Sequence, residues 1–184
     1  LIGLKVFKDK INFNTYPSLE AQISAISDDI AYNNHDIQDG INANLFKLEE
    51  LVEIDFFKSI YIKYKKKINK TNYKIAIYQI IRDSIDLMIR DLLSNTKKNI
   101  KDLKINSVKD IAKSNQQIVC FSHKIQKSEK EIKLFLRTKM YNNKTVLRKN
   151  LRGKVIVKKL FSIIKSNPRK FLTKDQLTKD KFRA

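Results

Sequence analysis

The sequence predicts an all-α protein, and three observations lead to that prediction. Only three glycines and two prolines occur among 184 residues, so few positions interrupt a helix. Apolar residues recur at intervals of three, four and seven, which is the spacing of one face of an α-helix. Apolar runs such as 75–77 and 155–157 are far shorter than the roughly 20 residues of a membrane span, so no membrane partner is expected.

The first predicted helix begins at Pro17, because proline at the first helical position loses no hydrogen bond and already has a helical φ. Gly40 is its expected end or bend. Residues 1–16 show no period and are predicted to form a loop that leads into this helix. One apolar stripe follows the helix at Leu19, Ile23, Ile26, Ile30, Ile37 and Ile41.

Helical periodicity returns several times, so residues 17–165 are predicted to form one helical body. A brief buried segment is expected at 119–121, and a basic, frayed tail at 166–184. The further predicted helices cover 45–67, 73–103, 129–140 and 154–165.

The formal charge of +20 at pH 7 has two interpretations. One is a surface for nucleic acid or polyphosphate. The other is compositional drift, in which Lys, Ile and Asn are enriched together. The basic residues are spread from Lys5 to Arg183 without interleaved aromatic residues, which favours the second interpretation.

The single cysteine, Cys120, excludes an internal disulfide and is compatible with a reducing cytoplasm, which is the expected location. Residues 1–7 are too short for a secretory signal peptide, because charged residues follow immediately. The first residue is leucine, so we expect that further sequence lies upstream.

The most informative segment is 18–40, which contains no Lys or Arg although 39 of the 184 residues are basic. Asp28, Tyr32 and Asp36 are four residues apart and therefore lie along one face of a helix. We call these three residues the polar row. Glu20 and Ser24 extend it upstream, whereas His35 and Asp39 flank it.

Two interpretations of the polar row remain open. It is either the solvated face of an ordinary amphipathic helix or a functional face. A local acidic patch in a basic protein is what a divalent cation requires, because Mg²⁺ and Mn²⁺ prefer carboxylate oxygens.

The sequence SLEAQISAISDDIAYNNHDIQDG, residues 18–40, resembles a block of the bacterial deoxyguanosinetriphosphate triphosphohydrolase-like proteins of the HD superfamily. The segments DGINANLF at 39–46 and KLFLRTKMYNNKTV at 133–146 are similar to later parts of that family. The resemblance implies an HD-domain-like helical bundle, of which this chain is expected to be a C-terminal fragment. The implied reaction is hydrolysis of a deoxynucleoside triphosphate (dNTP) to a deoxynucleoside and tripolyphosphate.

The resemblance also implies roles for individual residues. Asp28 matches the last ligand of the family's divalent metal, Mg²⁺ or Mn²⁺. Tyr32 and Asp36 match residues that contact the nucleotide sugar. A phenol ring can pack on the sugar, and a carboxylate can accept a hydrogen bond from the 3′-hydroxyl. Lys133 and Tyr141 match a later motif and are expected to face the phosphates and the nucleoside respectively.

The chain departs from the family pattern on the histidine side of the metal site. The pair His35–Asp36 lies on the helix of Asp28 and is not the family's metal pair, and His123 is expected to be structural or at the surface. One carboxylate does not hold a catalytic cation. We therefore expect an incomplete metal site, and the sequence assigns no catalytic residue.

Three hypotheses follow from these observations. The chain is a triphosphohydrolase fragment that is inactive alone, a basic module that binds nucleotides or single-stranded nucleic acid without chemistry, or a subunit that complements a separately encoded HD half. The resemblance implies a homo-oligomer for the intact family protein.

Overall fold

The structure of the protein is a computed structural model that describes residues 15–68 and 72–173. These residues form helices, turns and loops without a strand, which confirms the predicted all-α class. Most of the predicted lead-in and the end of the predicted tail, residues 1–14 and 174–184, lie outside the described residues. The helices are α1 (Leu19–Asn42), α2 (Leu48–Leu51), α3 (Asp55–Tyr64), α4 (Tyr73–Asp102), α5 (Val108–Lys113), α6 (His123–Leu136), α7 (Lys144–Ser166) and α8 (Pro168–Phe171).

The chain divides into two compact units, Leu1–Met140 and Tyr141–Ala184. In the first unit, α1 packs against α4 and α6, and α3 packs against the same two helices. In the second unit, α7 contacts α8. The predicted boundaries after residues 16 and 165 stay a prediction.

Helix α1 begins two residues later than the sequence predicts. Ser18 is the N-cap, and its hydroxyl accepts a hydrogen bond from the backbone N–H of Ala21 at 3.4 Å. Leu19 is therefore the first helical residue, whereas Pro17 precedes the cap and its carbonyl accepts a hydrogen bond from Gln22 Nε2 at 2.8 Å. A side chain that caps the helix determines this start more directly than the fixed φ of proline.

The prediction that Gly40 ends α1 is wrong, because the helix continues to Asn42, whereas a bend at Gly40 stays a prediction. A Cβ atom added to Gly40 would overlap Cε1 and Cζ of Phe46. The Phe46 ring is buried and packs edge-to-face on Phe135 of α6, with ring centroids 4.9 Å apart and an interplanar angle of 82°. Gly40 is thus needed for space, since the Phe46 ring occupies the place where any other side chain would begin.

The core of the first unit is apolar and continuous across its helices. Every helix from α1 to α6 contributes buried side chains to it. The fully buried large residues include Ile37, Leu48, Leu51, Phe57, Ile60, Ile80, Met88, Ile118, Val119, Ile132 and Leu136.

The segment before α6 is buried near its beginning. Ile118 and Val119 have no exposed surface, and their backbone N–H groups both donate to Gln22 Oε1 at 3.1 Å. Asn99 of α4 donates to the carbonyl of Ile118 at 2.8 Å, and Asn95 donates to the carbonyl of Cys120 at 2.9 Å. Because a buried backbone group without a partner is costly, these amides allow a non-helical segment to lie inside the protein.

Helices α6 and α7 are both longer than the sequence predicts. Ser122, the N-cap of α6, donates its backbone N–H and its hydroxyl to the carboxylate of Asp91 at 2.8 and 2.6 Å. Asn143 caps α7 by accepting from the backbone N–H of Thr145 at 2.9 Å. The predicted region 45–67 instead divides into α2, α3 and a 3₁₀ turn at Lys65–Lys67.

Within residues 15–68 and 72–173, none of the helices combines the length and the apolar character that crossing a membrane requires.

Candidate functional site

The polar row lies on the outer face of α1. Asp28 and Tyr32 are exposed, with 56% of Tyr32 accessible, and Asp36 is half-buried. Ile30 and Ile37 on the opposite face are 4% and 0% exposed. The helix therefore presents acids and a phenol to solvent while its apolar stripe packs inward, as the spacing predicts.

A buried hydrogen-bond network fixes the helix that carries the row. Asn34 of α1 is 1% exposed and accepts a hydrogen bond from the hydroxyl of Ser84 on α4 at 2.5 Å. Its Nδ2 atom donates to the carbonyl of Ile30 at 2.8 Å and approaches the sulfur of Met88 at 3.8 Å. Because polar pairing inside an apolar core is directional, this network sets the rotation of α1 against α4 and so directs the row outward.

Lys133 on α6 contacts the helix of the polar row through Asp29, the neighbour of Asp28 in the chain. The Lys133 ammonium donates to the Asp29 carboxylate at 3.0 Å and also pairs with Glu129, one turn earlier on α6. Lys133, which the sequence predicts to face the phosphates, thus contacts the helix that carries Asp28. Its positive charge is already paired with the carboxylates of Asp29 and Glu129.

The pKa of Lys133 reflects two opposing effects. Partial burial of the ammonium group lowers the pKa, but the hydrogen bonds and charges of Glu129 and Asp29 raise it above the ordinary lysine value overall. Lys133 therefore remains a cation at neutral pH, which is the state that a phosphate-binding group needs.

Sequence reasoning did not identify Asp29 and Glu129 as partners of Lys133. Glu129 precedes Lys133 by four residues, a helical ion-pair spacing that is visible in the sequence. Asp29 is separated from Lys133 by 104 residues, so only the packing of α6 against α1 reveals that pair.

Tyr141 belongs to the second unit. It is half-buried and ends a π-helical segment, Arg137–Tyr141, that follows α6. The structure groups Tyr141 with α7, not with the helices that carry Asp28 and Lys133. Its predicted contact with a nucleoside stays a prediction.

The described residues do not fit a catalytic divalent cation by themselves. Across 15–68 and 72–173, no three His, Cys, Asp or Glu side chains come together as a possible metal-binding group. Asp28 offers one exposed carboxylate, whereas Mg²⁺ and Mn²⁺ need several oxygen or nitrogen ligands. His35 and His123 are both exposed and belong to no such group. No reaction step through a metal is therefore derived from this chain.

The whole sequence is similar to known proteins. A deoxyguanosinetriphosphate triphosphohydrolase-like protein of Pelagibacter ubique (strain HTCC1062) is 63% identical over all 184 residues, which correspond to 50% of its own length. The chain is a relative of these triphosphohydrolase-like proteins. This finding confirms the resemblance that residues 18–40 carry.

Other relatives bear the same description. The protein of Rickettsia peacockii (strain Rustic) is 35% identical over 85% of this chain and 41% of its own length. That of Parvibaculum lavamentivorans is 32% identical over 84% of this chain and 39% of its own length. The chain therefore spans about half the length, or less, of the curated relatives it matches.

A second comparison concerns the C-terminal part of the chain. Residues 119–181 match a family described as a phosphohydrolase-associated domain. The match includes α6, the π-helical segment, α7 and α8, and so contains both Lys133 and Tyr141. Both comparisons therefore indicate similarity to phosphohydrolases.

Proposed function

We propose that this chain supplies the sugar-facing side and one metal ligand of a dNTP triphosphohydrolase. The observation that carries the proposal is the polar row on α1, with the Lys133 ammonium paired to Asp29 of the same helix. The reaction would convert a dNTP such as dGTP, with water, into a deoxynucleoside and tripolyphosphate. The names of the relatives support this reaction class, and their greater length indicates that this chain matches only part of the protein that performs it.

Each residue of the site has a role in this proposal. The half-buried Asp36 carboxylate accepts a hydrogen bond from the sugar 3′-hydroxyl, and the exposed Tyr32 ring packs against the sugar. Lys133 stabilises the phosphates as a fixed positive charge, and Tyr141 contacts the nucleoside. Asp28 becomes a ligand of Mg²⁺ or Mn²⁺ once the remaining ligands are supplied by sequence that corresponds to the other half of the relatives. We include in the proposal a cytoplasmic location and a homo-oligomer of the complete protein.

Tripolyphosphate release from dGTP tests this function. The chain alone is expected to release none with or without Mn²⁺. A fusion to the half of the Pelagibacter ubique relative that the chain does not match is expected to be active with Mn²⁺. In that fusion, Asp28→Asn should abolish the Mn²⁺-dependent rate, and Asp36→Asn should raise KM. Asp102→Asn, an exposed carboxylate at the end of α4, is the matched control. Hydrolysis by the chain alone, or full activity of Asp28→Asn, would contradict the proposal.

The charge of α7 favours a second candidate function, a module that binds single-stranded nucleic acid without chemistry. This helix carries eight basic residues and no acidic one. Such binding would weaken steeply with salt, because each phosphate contact releases a counterion. Fluorescence anisotropy with a labelled oligonucleotide measures this dependence, and a lack of binding at low salt excludes the module.

A further inference from the structure

Helix α7 has an apolar side that is exposed to solvent. From Ile156 to Ser166, the apolar side chains fall within an arc of roughly 160° at 100° per residue. We call this set the apolar arc: Ile156, Val157, Leu160, Phe161 and Ile163, which are 51–65% exposed. The remaining circumference carries Lys154, Lys158, Lys159 and Lys165, together with the exposed Val155.

Exposure of this arc is unfavourable for an isolated helix. None of the residues of α7 is buried, and apolar side chains left in water gain none of the free energy that burial would give. Helices in proteins derive most of their stability from the packing of an amphipathic face against the rest of the protein. Contiguous exposed apolar patches of this kind mark interaction surfaces.

The charges of α7 restrict what covers the arc. All eight of its charged residues are positive, so a second copy of α7 would bring two basic rims together. A complementary surface is apolar at its centre and acidic at its edge. The occupant also has an evident source, since the Pelagibacter ubique relative has about as much sequence again that this chain does not match.

We infer that the apolar arc of α7 is the docking face for the phosphohydrolase half that the relatives carry beyond the region matched by this chain. The inference rests on the proposed function and adds a contact surface between the two halves to the one that Asp28 requires. The facing surface presents apolar side chains to Leu160 and Phe161 and carboxylates to the basic rim.

Co-expression tests this interface without requiring either part to fold alone. The 184-residue chain is tagged and expressed with the unmatched half of the Pelagibacter ubique relative as a separate polypeptide. Leu160→Glu places a charge in the middle of the arc. Ser162→Glu introduces the same charge two residues away, on the basic face, at another exposed position. Circular dichroism confirms that both variants keep their helix content.

The expected result is co-purification of the wild type and Ser162→Glu with the half, and loss with Leu160→Glu. The dissociation constant should rise about 30-fold or more for Leu160→Glu, the factor of a hot-spot side chain. Salt should weaken the complex, because its rim is charged.

Four results would overturn the inference. The first is equal binding of the half by both variants, and the second is a wild-type homodimer, seen by light scattering, that Leu160→Glu dissociates. The third is binding of the wild type to phosphatidylglycerol vesicles but not to the half. The fourth is a melting temperature of the isolated chain that Leu160→Glu lowers and Ser162→Glu does not, which would show that the chain itself covers the arc.

The assay separates this inference from the proposed function. If a complex forms through the arc but releases no tripolyphosphate with Mn²⁺, the docking face is supported and the proposed reaction is contradicted. If the covalent fusion is active but the separate halves do not associate, the proposed reaction is supported and the docking face is contradicted.

Discussion

The ammonium group of Lys133 lies 3.0 Å from the carboxylate of Asp29 and joins α6 to α1 across 104 residues of sequence. This pair places a positive charge beside Asp29, which directly follows in the chain the residue that the family resemblance assigns to a metal. It also means that any phosphate contact by Lys133 competes with a carboxylate already present. The contribution of Lys133 to stability is therefore measurable before any ligand is known.

Lys133→Met is expected to lower the free energy of unfolding by less than about 1 kcal/mol at pH 7, because 46% of the Lys133 side chain is exposed and solvent screens the pair. The folded-state pKa of Lys133 is raised, so the stabilisation is complete below the ordinary pKa of 10.5 and is lost as the pH rises through the higher folded value. Urea unfolding of both proteins from pH 7 to 11 measures this difference, which should shrink at the alkaline end. Lys130→Met, at another exposed position on the same helix, is the matched control.

Gly40→Ala is expected to destabilise the protein by about 1–3 kcal/mol, because the new Cβ overlaps the Phe46 ring and forces it against Phe135. Thermal unfolding measures the change. Gly153→Ala is the matched control, since nothing lies within 4 Å of a Cβ at that position of α7. It should stabilise α7 by about 0.5–1 kcal/mol through helix propensity alone. Substitutions with effects of the same sign would refute this account of Gly40.

Gln22→Ala is expected to cost about 2–4 kcal/mol, since it leaves the backbone N–H groups of Ile118 and Val119 buried without an acceptor. Denaturant titration measures the loss, and hydrogen exchange at these two amides should accelerate more than exchange in α4. Gln38→Ala removes the same side chain from a half-buried position on the same helix and should cost less than about 1 kcal/mol. Equal losses would show that the two Gln22 hydrogen bonds do not matter.

Ser84→Ala is expected to destabilise the first unit by about 1–3 kcal/mol, because Asn34 Oδ1 loses its donor in a buried position. Ser94→Ala on the exposed side of the same helix should change stability by less than about 0.5 kcal/mol. Chemical denaturation compares the two variants. Indistinguishable midpoints would indicate that Asn34 finds another donor at no cost.

The sequence predicts elements well where one periodic stripe decides the structure. The prediction of a helix at 73–103 differs from α4 by one residue, because its apolar stripe recurs without interruption. The start of α6 depends on Asp91, 31 residues before Ser122, and no local pattern reveals that cap. The sequence does not predict the first part of α7, because basic residues and Gly153 interrupt its apolar periodicity.

In the candidate site too, local spacing predicts some features, whereas others depend on tertiary contacts. The alignment of Asp28, Tyr32 and Asp36 follows from helical spacing alone, and the structure has them on one exposed face. The approach of Lys133 depends on packing between helices far apart in sequence. Gly40 was interpreted from the general behaviour of glycine, whereas its actual neighbour, Phe46, is a tertiary contact.

The Gln22 side chain has a consequence for the order in which this protein is made. Its acceptor atom bonds residues 96 and 97 positions further along the chain. A chain grows from its N-terminus at roughly 5–20 residues per second, so α1 leaves the ribosome several seconds before Ile118 and Val119 exist. During synthesis the helix that carries the polar row therefore forms before the two backbone N–H groups that its Gln22 side chain accepts from are available.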